Sequence, residues 1–191
     1  TITSVGKKCV SVLTGQRHDI EVESPLAIHL GISISRGERM DWVIQKATEL
    51  GVTHVSPLLT ERTEVKLKAD RAEKKRQHWQ QIAISACEQC GRNRLPVINP
   101  LTLLPKWLND SQAELKLVLH HRAENLSAQS TPPRSIDLLI GPEGGLSPDE
   151  IHLAEQRAFH ALRLGDRVLR TETAPLAALS ILQARWGDMA P

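Results

Sequence analysis

The chain contains no tyrosine and a single phenylalanine, and aromatic residues make up only 3% of its 191 positions. Proteins that hold single-stranded nucleic acid by stacking need rows of aromatic rings, so this scarcity argues against that mode; any RNA contact has to rest on charge or shape. Cysteine is scarce too. Cys9, Cys87 and Cys90 make no paired framework, which fits a reducing cytoplasm. Cys87 and Cys90 stand three apart inside a helical pattern with no second pair to complete four ligands. His120 and His121 likewise have no partner motif at ligand spacing, so no metal is assigned. No apolar run is long enough to span a membrane or to serve as a signal segment. The glycine loops lack both a Gly-Lys-Ser/Thr ending and Gly-x-Gly-x-x-Gly spacing, which removes a phosphate-handling NTPase from consideration.

What is present is an alternation. The length allows one ordinary domain plus a fragment, and 40% hydrophobic content is enough for a core. Residues 26–33 read as a strand and residues 38–50 as a helix, with Met40, Val43, Ile44, Ala47 and Leu50 at helical spacing and Gly51 as its stop. Strand 52–59, long helix 70–90 with Trp79, Ile82, Ala83 and Ala86 on one face, strand 97–98, short helix 103–108 and strand 115–120 follow. Strands separated by helices imply an α/β fold with a largely parallel sheet covered on both faces. A polar, proline-bearing loop lies between His121 and Arg134, and no internal repeat is visible.

Two late loops carry the most information. After the apolar run 136–140, Gly141, Gly144 and Gly145 allow a tight turn and close backbone approach. Ser147, Pro148 and Glu150 then read as N-cap, first helical residue and capping-box acid, so a helix starts at Pro148. A glycine loop before a helix usually suggests phosphate, but Glu143 puts a carboxylate in the turn, where it would repel an anion. A neutral or cationic ligand suits the loop better. In the second loop Val168 and Leu169 read as a strand end and Thr171 or Thr173 as a cap for helix 174–186, which is apolar on nearly every face. Such a helix is expected to be buried all round, against the sheet on one side and a second subunit on the other.

The pair Gly141-Pro142-Glu143-Gly144-Gly145 and Leu164-Gly165-Asp166-Arg167-Val168-Leu169-Arg170-Thr171-Glu172-Thr173-Ala174 resembles the signature of the RsmE family. These are SPOUT-superfamily methyltransferases that use S-adenosylmethionine to methylate the N3 imide nitrogen of a uridine in small-subunit (16S) ribosomal RNA. Gln45 to Gly51, Pro57 with Glu61 to Thr63, and Glu88-Gln89 with Arg92 and Pro96 agree with that family, so the match runs over residues 25–186.

The resemblance implies a SPOUT methyltransferase domain over residues 25–191 with a C-terminal deep trefoil knot. It also implies that residues 1–24 are the remnant of an N-terminal PUA-like β-barrel, with residues 8–13 and 19–22 as its last strands. It implies a homodimer with the donor pocket near the interface. The donor would be enclosed by Leu119 and His120, by Ile140, Gly141, Pro142, Glu143, Gly144 and Gly145, and by Leu164, Gly165, Val168, Leu169, Thr171, Thr173 and Ala174. Backbone groups at Gly144, Gly145, Leu164 and Leu169 would hold adenine and ribose.

Imide methylation needs the nitrogen to lose a proton and attack in line with the departing sulfur, so the protein mainly positions the partners and excludes water. Arg170 is placed to steady the uracil oxygens and Glu172 to accept the proton or orient Arg170, with a structural ion pair as the competing role. Glu88, Gln89 and Arg92 match family positions that face the target nucleotide. Lys66, Lys68, Lys74, Lys75, Arg76 and Arg94 supply a basic stretch that reads either as a solvated helix face or, given the resemblance, as an RNA contact. Two other functions compete: a SPOUT ribose 2'-O-methyltransferase acting on transfer RNA, and a catalytically silent ribosome-assembly factor that only binds RNA.

Overall fold

Leu138, Leu139 and Ile140 follow one another without a polar break because β8 (Ser135–Ile140) lies inside a sheet covered on both faces. The protein is described by a computed structural model over residues 1–64, 69–120 and 131–189. A hairpin of β1 (Ile2–Val5) and β2 (Val10–Val12) comes first. Then come β3 (Ala27–Ser33), α1 (Arg39–Glu49), β4 (Val52–Leu59), α2 (Ala69–Cys90), β5 (Val97–Ile98), β6 (Thr102–Leu103) and α3 (Leu104–Asp110). β7 (Leu115–Leu119), β8, α4 (Pro148–Gln156), β9 (His160–Leu162) and α5 (Thr173–Trp186) complete the chain. The described sheet runs β5-β4-β3-β8-β7-β9 with β6 beside β4, and every pairing is parallel.

The two-residue period of the strands divides the core. Ile28, Leu30 and Ile32 of β3 and Ile136, Leu138 and Ile140 of β8 face α1, α2 and α5, meeting Val43, Ile44, Ala47, Trp79, Leu179 and Leu182. Leu139 of β8 and Val118 of β7 face the other way, onto α3 and α4. Burying each such aliphatic side chain contributes about 1.5–3 kcal/mol. The second face is the more polar one. His29 Nε2 lies 2.7 Å from Ser56 Oγ and accepts from Trp107 Nε1 at 3.2 Å, while His29 Nδ1 sits 3.3 Å from Asp137 Oδ1. Ser111 Oγ donates to the other Asp137 oxygen. Burial pushes the Asp137 carboxyl up, but the hydrogen bonds from His29 and Ser111 and the charge of Lys116 outweigh it and hold it below its ordinary value. Between them Gly31 leaves room for the indole, since a Cβ there would stand 2.5 Å from Trp107 Cζ2.

Helix ends follow the expected chemistry in part. Gly51 and Gly91 close α1 and α2 at φ +80°. Ser147 and Glu150 form the full capping box of α4, and Glu150 Oε1 also accepts from the Glu61 amide at 2.8 Å, tying the loop after β4 to this helix. α5 departs from expectation: its N-cap is Glu172, with no side-chain cap bond, because Thr173 is already the first helical residue. Val168 and Leu169 are not a strand end; the strand there is the earlier β9, and residues 163–172 form the loop after it. Helix α5 is not enclosed within one chain: Ala174, Pro175, Ala178, Leu179 and Leu182 are buried, whereas Ile181 and Ala184 meet solvent. At the N-terminus the observed strands are β1 and β2, and residues 19–22 form none.

Candidate functional site

Carboxyl ends of parallel strands are where α/β sheets build ligand sites, because the loops there diverge and leave a crevice. A cavity of about 280 Å³ opens at the ends of β7 and β8. Leu119 and His120 form one wall, Ile140, Gly141, Pro142, Glu143, Gly144 and Gly145 a second, and Leu164, Gly165, Val168, Leu169, Thr171 and Ala174 a third. Of the residues expected to hold the donor, Thr173 alone does not line it; as the first residue of α5 it is exposed.

The first loop closes on itself. Gly145 N–H donates to Pro142 O at 2.8 Å, with Gly145 at φ +69°. Gly141 is fixed by contact: a Cβ there would lie 2.9 Å from both the Leu146 amide nitrogen and Leu146 Cγ, so a side chain would push the loop open. The second loop is shaped by Arg170 O, which accepts from the amides of Thr173 and Ala174 at 2.9 Å each, and by Gly165 at φ +81°. His120 N–H donates to Leu162 O at 3.0 Å and joins the first wall to β9.

Charge gathers at the rim. Arg170 is 82% exposed with its Nη1 4.0 Å from Glu172 Oε1, and Glu172 is only 23% exposed. Arg39, at the start of α1, donates from Nη1 to Glu143 Oε1 at 2.7 Å and holds its Nε 3.9 Å from Glu172 Oε2. Arg62 donates from Nη1 to Gly144 O at 2.8 Å and lines the cavity together with Leu146 and Arg167. The sequence reading gave Arg39, Arg62, Leu146 and Arg167 no place at the pocket, although Arg62 and Arg167 fall inside the motifs that carry the resemblance. Arg39 sits just after β3, at the same carboxyl edge of the sheet, and that rule of topology was the signal available for it.

Arg92, expected to face the target nucleotide, lies away from its own chain's cavity. Its side chain is 6% exposed and forms a two-pronged ion pair with Glu23, at 3.0 and 2.5 Å. Its Nη1 also donates to Thr48 O at 2.7 Å and Val52 O at 3.0 Å. These acceptors lie where β4 begins, at the opposite edge of the sheet from the cavity, so the guanidinium locks the chain before β3 onto α1 and β4. The Arg92 hydrogen bond holds the Glu23 carboxyl below its ordinary value; burial opposes the Arg92 charge, but Glu23 outweighs it and raises the Arg92 pKa. Glu88 and Gln89 are exposed near the same end of α2 and do not line the cavity.

The basic stretch is partly neutralised. Arg76 is held by Glu73 at 2.6 Å, Arg94 pairs with Glu21 at 2.9 Å, and Lys75 lies 6.0 Å from the Trp79 ring centre. Lys74 is exposed, and Lys66 and Lys68 lie outside the described residues. Burial pushes the Cys87 thiol up, which suits a packed helix cysteine better than a reactive thiolate. Among the described residues no helix is long and apolar enough to cross a membrane, and no group of three or more His, Cys, Asp or Glu could hold a metal ion.

S-Adenosylmethionine fits this donor set. Its adenosyl part needs apolar walls and exposed backbone, which Leu119, Leu164, Val168, Leu169 and the glycine turn provide, and its sulfonium tolerates Glu143, which a phosphate would not. A parallel α/β sheet with such a pocket at its carboxyl edge is the architecture of a cofactor-binding α/β enzyme, and the family match narrows it to an RNA methyltransferase. Residues 22–183 match the family model for the RNA methyltransferase domain. The chain belongs to the family of ribosomal RNA small subunit methyltransferase E. It is 39% identical over 191 residues to the enzyme of that name from Buchnera aphidicola subsp. Schizaphis graminum, covering 98% of this chain and 77% of the relative. The Bacillus subtilis relative of the same name is 34% identical, with 95% and 75% covered. Among solved structures, a Legionella pneumophila methyltransferase in complex with its bound cofactor SAM superposes with TM-score 0.94 at 45% identity, over 98% of this chain and 78% of that one. The Neisseria gonorrhoeae ribosomal RNA small subunit methyltransferase E bound to S-adenosyl methionine gives TM-score 0.82 at 45% identity, over 88% and 70%.

Proposed function

We infer that the chain methylates the N3 imide nitrogen of a uridine in small-subunit ribosomal RNA with S-adenosylmethionine as donor. The observation that carries this is the cavity at the ends of β7 and β8, enclosed by the same two loops whose sequences resemble the family signature. The donor, when bound, supplies an electrophilic methyl carbon on a cationic sulfur. The imide nitrogen gives up its proton and forms the new nitrogen–carbon bond, and the electron pair of the broken carbon–sulfur bond stays with sulfur. Opposite charges are consumed, so a dry pocket favours the step. Leu119, Leu164, Val168 and Leu169 exclude water, and the closed turn at Gly141 to Gly145 presents backbone groups to the adenosyl part.

At the rim, Arg170 steadies the uracil oxygens as charge builds on them, and Glu172 accepts the imide proton or orients Arg170. Lys74, Lys75, Arg76 and Arg94 contact the phosphate backbone, with Arg76 and Arg94 exchanging their carboxylate partners for phosphate. Glu88 and Gln89 lie at the opposite edge of the sheet from their own chain's pocket, so a role beside the target nucleotide requires a second copy. A homodimer packed on the open face of α5 supplies one, and the exposed Ile181 supports it. The late loops belong to a deep trefoil knot, residues 1–24 to the end of a PUA-like barrel, and the enzyme works in the cytoplasm beside its substrate.

The test is methyl transfer from isotopically labelled donor to purified small subunits and to bare small-subunit RNA, with the product mapped by mass spectrometry. One N3-methyluridine at a single position is the expected result. Label on a ribose hydroxyl, on transfer RNA only, or on no RNA at all overturns the reading.

A further inference from the structure

The two donor loops approach each other with a carboxylate each. Glu143 lies in the first loop and lines the cavity, and Glu172 ends the second. Neither loop supplies the cation that joins them. That cation comes from the start of α1: Arg39 Nη1 donates to Glu143 Oε1 at 2.7 Å, and its Nε stands 3.9 Å from Glu172 Oε2. Arg39 is 46% exposed and makes no other ion pair among the described residues. Its backbone is anchored in a helix whose next residue, Met40, is fully packed in the core.

An arginine fork fits this place better than a lysine, because one planar group reaches two carboxylates from fixed directions. The placement has two physical consequences. Glu172 has a guanidinium near each carboxylate oxygen, Arg39 Nε 3.9 Å from Oε2 and Arg170 Nη1 4.0 Å from Oε1, so positive charge favours one setting of the carboxylate. Glu143, paired with a guanidinium, attracts a sulfonium in the same cavity less strongly than a bare carboxylate would.

We propose that Arg39 is a positioning residue that clamps the two donor loops through Glu143 and Glu172, and that by holding Glu143 it limits how strongly the pocket prefers a cationic donor over the neutral thioether product. The clamp gives Glu172 its working orientation and keeps the donor from being held so tightly that turnover suffers. This inference rests on the donor reading above.

Calorimetric affinities of Arg39→Gln, Glu143→Gln and the double variant for S-adenosylmethionine and for S-adenosylhomocysteine decide it without RNA. The affinity ratio of sulfonium to thioether is expected to rise severalfold in Arg39→Gln, because the unpaired Glu143 carboxylate then faces the sulfonium. It should return to the wild-type value or below in the double variant. An unchanged ratio in Arg39→Gln, or a rise that survives loss of Glu143, overturns the proposal. A loss of packing alone would weaken both ligands together and leave the ratio where it was. In single-turnover transfer at saturating donor, Arg39→Gln should fall tenfold or more, Arg39→Lys should recover part of the loss, and adding Glu172→Gln should cost little further. A rate within twofold of wild type, or penalties that multiply, overturns the clamp. If the wild-type chain transfers no methyl to ribosomal RNA, the functional reading fails, and the affinity ratios still decide Arg39.

Discussion

Arg92 and Arg170 are the same residue in opposite settings. Arg92 is 6% exposed and uses its guanidinium on Glu23, Thr48 O and Val52 O; Arg170 is 82% exposed and touches one carboxylate at 4.0 Å. A guanidinium whose donors all have buried acceptors cannot turn toward a substrate without leaving a carboxylate and two carbonyls unpaired. An exposed one beside an apolar cavity loses little by turning. The contrast sets a guanidinium free to move at the carboxyl edge of the sheet against one locked in place at the other edge.

The strongest way to break that division is Arg92→Met, which strands the largely covered Glu23 carboxylate. It should cost about 3–5 kcal/mol, lowering the melting temperature on the order of 10 °C, while the donor affinity of the folded fraction stays unchanged. A large loss of donor affinity with normal stability would put Arg92 in the site after all. Next in size is Gly141→Ala, whose Cβ would stand 2.9 Å from the Leu146 amide. Donor affinity by calorimetry should fall about tenfold or more, roughly 1.4 kcal/mol, with little change in unfolding midpoint.

Glu172→Gln sharpens the other side of the contrast. Single-turnover transfer should drop severalfold or more with donor binding retained; an unchanged rate with lower stability makes the Arg170–Glu172 pair structural. Acid titration of stability separates the two edges again. Because Arg92 holds the native Glu23 carboxyl below its ordinary value, its stabilisation is present above the unfolded pKa and is lost as pH falls through the native one. Chemical unfolding from about pH 6 downward should show the loss concentrated below about pH 4. Glu23→Gln should flatten that part of the profile. The smallest effect belongs to Arg94→Ala, whose ion pair with Glu21 is open to solvent. Stability should move by less than about 1 kcal/mol, while the salt dependence of RNA binding loses about one unit of slope.

Much of the site could be read in the chain because its walls are local. The capping box at Ser147 and Glu150, the glycine turn and the apolar second loop are each contiguous, and their chemistry acts over a few residues. β9 was missed because His160 to Leu162 is too short to show a period, and Val168 with Leu169 offered a more apolar pair that the structure leaves in a loop. Arg39 and Arg62 were missed for a different reason. They stand 104 and 82 residues from the glycine-loop atoms they bond, and nothing in local spacing links them.

The sequence by itself determined the alternation of strands and helices and the tight turn at Gly141 to Gly145. Hydrophobic period, capping and glycine chemistry are properties of neighbouring residues. Only the tertiary structure decided which arginines are free to act, since that depends on which carboxylates and carbonyls the folded sheet brings within hydrogen-bond reach. Partners so distant along the chain meet only after the strands have paired.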